Sequence, residues 1–173
     1  MRIGTKLIIL LTFILFLSAC NSDNAADSDY ENFEPAAISL VDTDRNTVKI
    51  FAPEEKELYV YFTGVGWTIC LTQLVQLNNR IDEFNEKGIN VYAISPSSPE
   101  EHQEVVDQLE LNFEILTDTT YEFGLTTGFI DEEEQIIYRG YTAVNPETNN
   151  MFTEVDYLVG ENIDEILELM EHF

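Results

Sequence analysis

Cysteine is scarce in this chain. Its 173 residues include two, Cys20 and Cys70. Trp67-Thr-Ile-Cys70 lacks the first cysteine of a Cys-x-x-Cys pair, which argues against dithiol-disulfide exchange. Positive charge is equally scarce: eight Lys and Arg stand against 33 Asp and Glu, a formal charge of −25. Phosphate would be repelled, so nucleic-acid binding is excluded, and anionic lipid offers no attraction. Neither histidine, His102 or His172, has a cysteine or carboxylate at ligand spacing, so no metal is expected. No other cofactor is implied. The apolar run Leu7 to Leu17, about 11 residues broken by Thr12, is too short to span a bilayer.

That run belongs to a processing signal. Arg2 and Lys6 precede it, and Leu17-Ser-Ala-Cys20 follows with small residues just before a cysteine. This pattern resembles a bacterial lipobox, which implies cleavage before a lipid-modified Cys20. The expected organisation is a signal peptide over 1–19, a flexible acidic tether over 20–34 and one domain over 35–173. Losing Arg2 and Lys6 leaves six basic residues and a formal charge near −27, so the lipid must do the anchoring. The acidic surface reads as a solvating one, and Asp131-Glu-Glu-Glu134 as a solvated loop.

From Pro35 onward, strand and helix patterns alternate. Ile38-Ser-Leu-Val and Thr47 to Phe51 flank a turn and predict a hairpin. Leu58 to Phe62 predicts a buried strand. Leu71, Leu74, Leu77, Ile81 and Phe84 recur at helical spacing, which predicts one helix ending at Lys87-Gly88. Ile89 to Ile94 is the next strand. Ser98-Pro-Glu-Glu101 predicts a capping box, with Val105, Val106 and Leu109 inward. Phe113 to Leu116 reads as a link, Tyr121 to Gly124 as a helical turn, and Tyr141–Asn145 and Met151–Val159 as strands. Asn162 is expected to cap a last helix with Ile163, Ile166, Leu167 and Met170 inward. This order predicts an α/β, thioredoxin-like fold: a central mixed sheet flanked by helices, with an N-terminal β-hairpin extension.

With Cys20 committed to processing, Cys70 is the thiol left for chemistry. It follows an apolar run and a Gly-rich turn, and it opens a helix. A helix N-terminus favours the thiolate, which is the nucleophile in redox chemistry.

These residues resemble the peroxiredoxins, the alkyl-hydroperoxide-reductase and thiol-specific-antioxidant branch of the thioredoxin-like superfamily. The resemblance spans about Pro35 to the C-terminus. It rests on Pro35-Ala-Ala-Ile-Ser-Leu40, Tyr61-Phe62 through Cys70 to Gln73-Leu74, Ile94 to Glu100, Phe113 to Asp118, and Arg139-Gly-Tyr-Thr-Ala-Val-Asn-Pro-Glu147. The resemblance implies that Cys70 is the peroxidatic cysteine and Arg139 the family's arginine. The family threonine, three before the cysteine, is replaced by Trp67, and Thr68 lies two before. Thr68 is therefore the expected source of the catalytic hydroxyl. The family proline, seven before, is Thr63, and the residue three after, often Glu, is Gln73. Thr63, Trp67 and Gln73 are expected around the substrate pocket, Trp67 as a core or wall aromatic.

Cys70 would attack a peroxide and become sulfenic acid, with Arg139 holding the peroxide oxygens. With Cys20 blocked, no resolving cysteine remains, which implies a one-cysteine thiol peroxidase reduced by an external thiol or thioredoxin-like protein. Its substrates would be hydrogen peroxide or alkyl hydroperoxides; a membrane through the lipid anchor and a homodimer complete the expected partners. Two other readings stand beside it: a redox-partner or binding lipoprotein without peroxidase activity, and a thiol-disulfide oxidoreductase. The latter, like copper-centre assembly, requires the missing cysteine pair.

Overall fold

A computed structural model describes residues 31–32 and 36–173. The lipobox at Cys20 and most of the tether stretch lie outside the described residues. Among the described residues, no helix is long and apolar enough to cross a membrane.

The main sheet has eight strands: β1 (Glu31–Asn32), β2 (Ile38–Val41), β3 (Thr47–Ile50), β4 (Lys56–Tyr61), β5 (Ile89–Ser95), β6 (Glu114–Thr117), β9 (Gly140–Asn145) and β10 (Asn150–Val155). Their spatial order is β1-β10-β9-β4-β5-β6-β2-β3. A two-stranded ribbon of β7 (Ile130–Asp131) and β8 (Ile136–Ile137) stands apart. Strands β4, β5 and β6 run parallel, while β9 is antiparallel to β4 on its other side. The helices are α1 (Thr68–Asn78), α2 (Ile81–Glu86), α3 (Pro99–Leu109), α4 (Glu122–Thr126) and α5 (Ile163–His172), with a short 3-10 helix at Val159–Glu161. The expected mixed sheet and N-terminal hairpin are both present, and β6 replaces the link read over 113–116.

Side-chain alternation along β4 divides the core in two. Leu58 and Val60 face one cluster, with Leu74 and Leu77 of α1, Ile81 and Phe84 of α2, Val105 of α3, and Ile166 and Met170 of α5. Tyr59 and Tyr61 face the other, with Ile38, Leu40 and Ile50 of the hairpin, Phe123 of α4 and Phe129. Burying each aliphatic side chain stabilises by about 1.5–3 kcal/mol. Because β4 is buried on both faces, it reads as a nearly continuous apolar run.

The helix expected from Cys70 to Lys87 is two helices. The chain breaks at Asn79-Arg80, after two asparagines, which compete with helix through their own side-chain hydrogen bonds. Asn78 bonds across to the α3–β6 turn, donating to the Glu110 carbonyl and accepting from the Asn112 amide. Arg80 then reaches Glu83 through two nitrogens, each at 2.6 Å, and Asp164 of α5 at 2.6 Å. The capping box of α3 forms as expected: Ser98 and Glu101 satisfy each other's backbone amides. The cap of α5 does not form. Asn162 instead turns its side-chain amide back to the Leu158 carbonyl.

One register places the site. At the C-terminal end of β4, Tyr61 lies opposite both Ile94 of β5 and Gly140 of β9. Arg139, just before Gly140, is thereby delivered beside the loop that leads from β4 into α1.

Candidate active site

Strand β4 ends at Tyr61, and six residues later Trp67 caps α1. Gly64 lets the intervening loop turn tightly, at φ +140°. Cys70 is the third residue of α1, and the amides of Cys70 and Leu71 both donate to the Trp67 carbonyl. The sulfur thus sits within the first turn, where the helix dipole favours negative charge. Cys70 is a free thiol and 2% exposed. Thr63 Oγ1 lies 3.5 Å from its Sγ.

Arg139 and Cys70 line the same narrow recess, completed by Val60, Phe62, Gln73, Tyr157 and Val159 among others. The guanidinium pairs at one end with Asp156, at 3.3 Å, just beyond the C-terminal end of β10. Its Nε is buried without a hydrogen-bond partner. A buried donor in that state costs about 1–3 kcal/mol until an acceptor arrives. The arrangement therefore places a guanidinium with one unpartnered donor in the same recess as a free thiol.

The wall opposite is fixed by Gln73. Its side-chain oxygen accepts from the Gly160 amide at 2.7 Å, and its nitrogen donates to Gln76 at 3.1 Å. The first bond ties the 3-10 helix against α1, and the second, within α1, holds the Gln73 side chain in place. The approach requires glycine at 160: a Cβ there would meet Gln76 Oε1 at 2.6 Å and the Gln73 carbonyl at 2.9 Å. Tyr157 donates to Glu165 at 2.7 Å; burial, then that hydrogen bond, holds its phenol protonated well above the usual range.

Two expectations need correction. Thr68 is exposed, and the bond in which it takes part is backbone: its carbonyl accepts from Thr72. The hydroxyl beside the sulfur comes from Thr63. Trp67 is neither core nor pocket wall; it is 64% exposed and absent from the recess. Gln73 does line the recess, although both its polar groups are engaged, whereas Thr63 is not among its lining residues and meets the site through the sulfur. Tyr157 and Val159 were not anticipated there. Their stretch reads as the end of a strand, and nothing in its sequence signals that the chain turns back over α1. Among the described residues, no cluster of His, Cys, Asp and Glu could hold a metal ion.

The model of the AhpC/TSA family matches residues 32–149. The chain belongs to that family, the peroxiredoxins. Among similar proteins is peroxiredoxin prdx-2 of Caenorhabditis elegans, 27% identical over 144 residues, covering 78% of this chain and 72% of that one. A thioredoxin peroxidase of Trypanosoma brucei rhodesiense is 30% identical over 127 residues, 68% of this chain and 64% of its own. Among solved structures, the peroxidoxin BcpB of Mycobacterium tuberculosis superposes with a TM-score of 0.71 at 10% identity, covering 82% of this chain and 96% of that one. That likeness bears on fold, which is thioredoxin-like. This peroxiredoxin is accordingly a thiol-dependent peroxidase, and Cys70 and Arg139 line one recess.

Proposed function

We propose that the protein is a membrane-tethered, extracytoplasmic one-cysteine peroxiredoxin that reduces hydrogen peroxide or alkyl hydroperoxides. The observation that carries the chemistry is the pairing of the free Cys70 thiol with the unpartnered Arg139 Nε in one recess. The tether rests on the sequence: Leu17-Ser-Ala-Cys20 behind a short apolar run.

The Cys70 thiolate attacks one peroxide oxygen. A sulfur–oxygen bond forms and the oxygen–oxygen bond breaks. The other oxygen leaves with the bonding pair, takes a proton and departs as water or an alcohol. Sulfur is oxidised by two electrons to sulfenic acid, and the peroxide is reduced by two. Arg139 Nε donates to the oxygens as negative charge develops, and the Thr63 hydroxyl is placed to bond sulfur or peroxide. An arginine suits this task because it stays charged at every working pH.

Cys20 being blocked by lipid in this reading, resolution comes from outside. An external thiol condenses with the sulfenic acid, releasing water and forming a mixed disulfide. A second thiol displaces Cys70 as thiol and leaves as the external disulfide. Peroxide-treated protein should therefore react with a sulfenic-acid probe at Cys70 and show no intramolecular disulfide. In cells, Cys20→Ala should shift the protein out of the membrane fraction. A disulfide within one chain, or a Cys20→Ala protein retained in the membrane, would contradict the respective half of this proposal.

A further inference from the structure

His102 is completely buried on the first turn of α3, and nothing in the peroxide chemistry uses it. Its two ring nitrogens are both engaged. Nε2 lies 2.6 Å from Ser95 Oγ at the end of β5, and Nδ1 lies 2.9 Å from Thr117 Oγ1 at the end of β6. One donor and one acceptor, facing two hydroxyls, is the complement of a neutral imidazole. Burial also pushes the ring toward the neutral form, with a pKa lowered to about 4.

The network continues toward the sulfur. Ser95 Oγ accepts from the Ser97 amide at 3.2 Å. Ser97 Oγ accepts from the Val65 amide at 3.4 Å, and it packs against Gly64, where a Cβ would stand 3.3 Å away. On the other side of the loop, the Phe62 ring lies 5.9 Å from the His102 ring, and the Phe62 amide donates to Ile94. Thr63 sits between these two fixed points. Phe62 precedes it and is held by ring packing, and Gly64-Val65 follow it and are held by Ser97.

We propose that His102 is a positioning residue for peroxide reduction: through Ser95 and Ser97, and through Phe62, it fixes the loop that aims the Thr63 hydroxyl at Cys70. The effect is on how the Thr63 hydroxyl meets the sulfur and the incoming peroxide. Without the network the loop retains its Phe62 anchor but loses its Val65 anchor, and the Thr63 hydroxyl is free to swing away. Misplacement of an aligning group by about 1 Å is enough to cost a large rate factor.

The inference rests on the peroxidase reading of this site, and the experiment separates the two. The rate of Cys70 oxidation by hydrogen peroxide in the wild-type protein tests the reading. The ratio between variants tests the inference. Ser97→Ala removes one half-buried hydroxyl from a loop, and His102→Phe keeps the ring packing but removes its hydrogen bonds. Each should lower the peroxide rate constant by about tenfold. Alkylation of Cys70 by iodoacetamide, which needs a thiolate but no aligned peroxide, should fall clearly less than the peroxide rate does. In a Thr63→Val background, Ser97→Ala should have no further effect, because the residue it acts through is already gone. The inference is overturned if Ser97→Ala leaves the peroxide rate unchanged, if it slows alkylation equally, or if its effect adds fully to that of Thr63→Val. A folded His102→Phe that oxidises at the wild-type rate also overturns the inference; should it fail to fold, Ser95→Ala, which cuts the link from His102 to Ser97, takes its place under the same criterion.

Discussion

Thr63 Oγ1 stands 3.5 Å from the sulfur of Cys70, across a loop that places Thr68 in solvent. The residue seven before the cysteine, not two before, therefore supplies the hydroxyl at the site. The two threonines make a clean comparison. Thr63→Val, nearly isosteric, should slow Cys70 oxidation by peroxide by about ten- to a hundredfold, in keeping with the loss of one oriented donor. Thr68→Ala should leave that rate within about twofold. Stopped-flow oxidation of both variants checks this, and a slow Thr68→Ala beside a fast Thr63→Val would reverse the assignment.

Arg139 should matter to rate far more than to stability. Its ion pair with Asp156 is solvent-exposed on the aspartate side, and such pairs contribute about 0–1 kcal/mol. Its Nε, by contrast, is a buried donor waiting for an acceptor. Arg139→Ala should lower the peroxide rate constant by about a hundredfold or more while the urea midpoint moves little. Arg139→Lys should not recover the rate, because an ammonium cannot reproduce the planar donor set. Measuring both rate and midpoint on the same samples separates the two effects.

Gly160→Ala tests whether the recess depends on the close approach of the 3-10 helix to α1. The new methyl would collide with Gln76 and with the Gln73 carbonyl. Overpacking of this kind costs about 1–3 kcal/mol. The variant should unfold at lower urea. It should also oxidise more slowly, since the added methyl would displace the Gly160–Gln73 bond that fixes the wall. An unchanged urea midpoint would show that the helix shifts freely.

Stability should fall with acid through the His102 ring. Its pKa is lowered by burial from 6.5 to about 4, so the unfolded chain binds the proton more tightly than the folded one. The loss begins as pH drops below about 6.5 and is complete near pH 4, amounting to about 3 kcal/mol. The Glu57 carboxyl, raised chiefly by burial, acts in the opposite sense, because protonation favours its buried form. Exposed carboxylates such as Glu101, lowered by hydrogen bonds from Ser98, lose their contribution only below about pH 4.5. Urea unfolding at pH 7 and pH 5 should show the decline in the wild type. His102→Asn should flatten it, and a slope unaltered by that change would contradict the assignment to His102.

Much of the fold was legible because its elements carry local signals. Ser98-Pro-Glu-Glu101 announces α3, and Ile163, Ile166, Leu167 and Met170 mark the inner face of α5. Cys70 and Arg139 were legible because a strand-turn-helix places the first and a strand start places the second. What escaped depends on how the chain turns in space. Spacing does not show which side of a Gly-rich loop faces the sulfur, and the resemblance puts Thr63 at the family's proline position, so its hydroxyl carries no signal in the sequence. The apolar spacing from Leu74 to Phe84 continues across Asn79-Arg80, which hid the break between α1 and α2. A buried histidine on a capped helix gives no sign of its partners, because Ser95 and Thr117 come from two other strands.

The most direct test of the account is the anaerobic reaction of reduced protein with hydrogen peroxide, followed by stopped flow and by a sulfenic-acid probe. Wild-type Cys70 should react at least about a hundredfold faster than free cysteine, yielding one sulfenic acid per chain at that residue, and Cys70→Ser should be inert. A Cys70 that reacts no faster than free cysteine would contradict the claim that this recess is built to reduce peroxides.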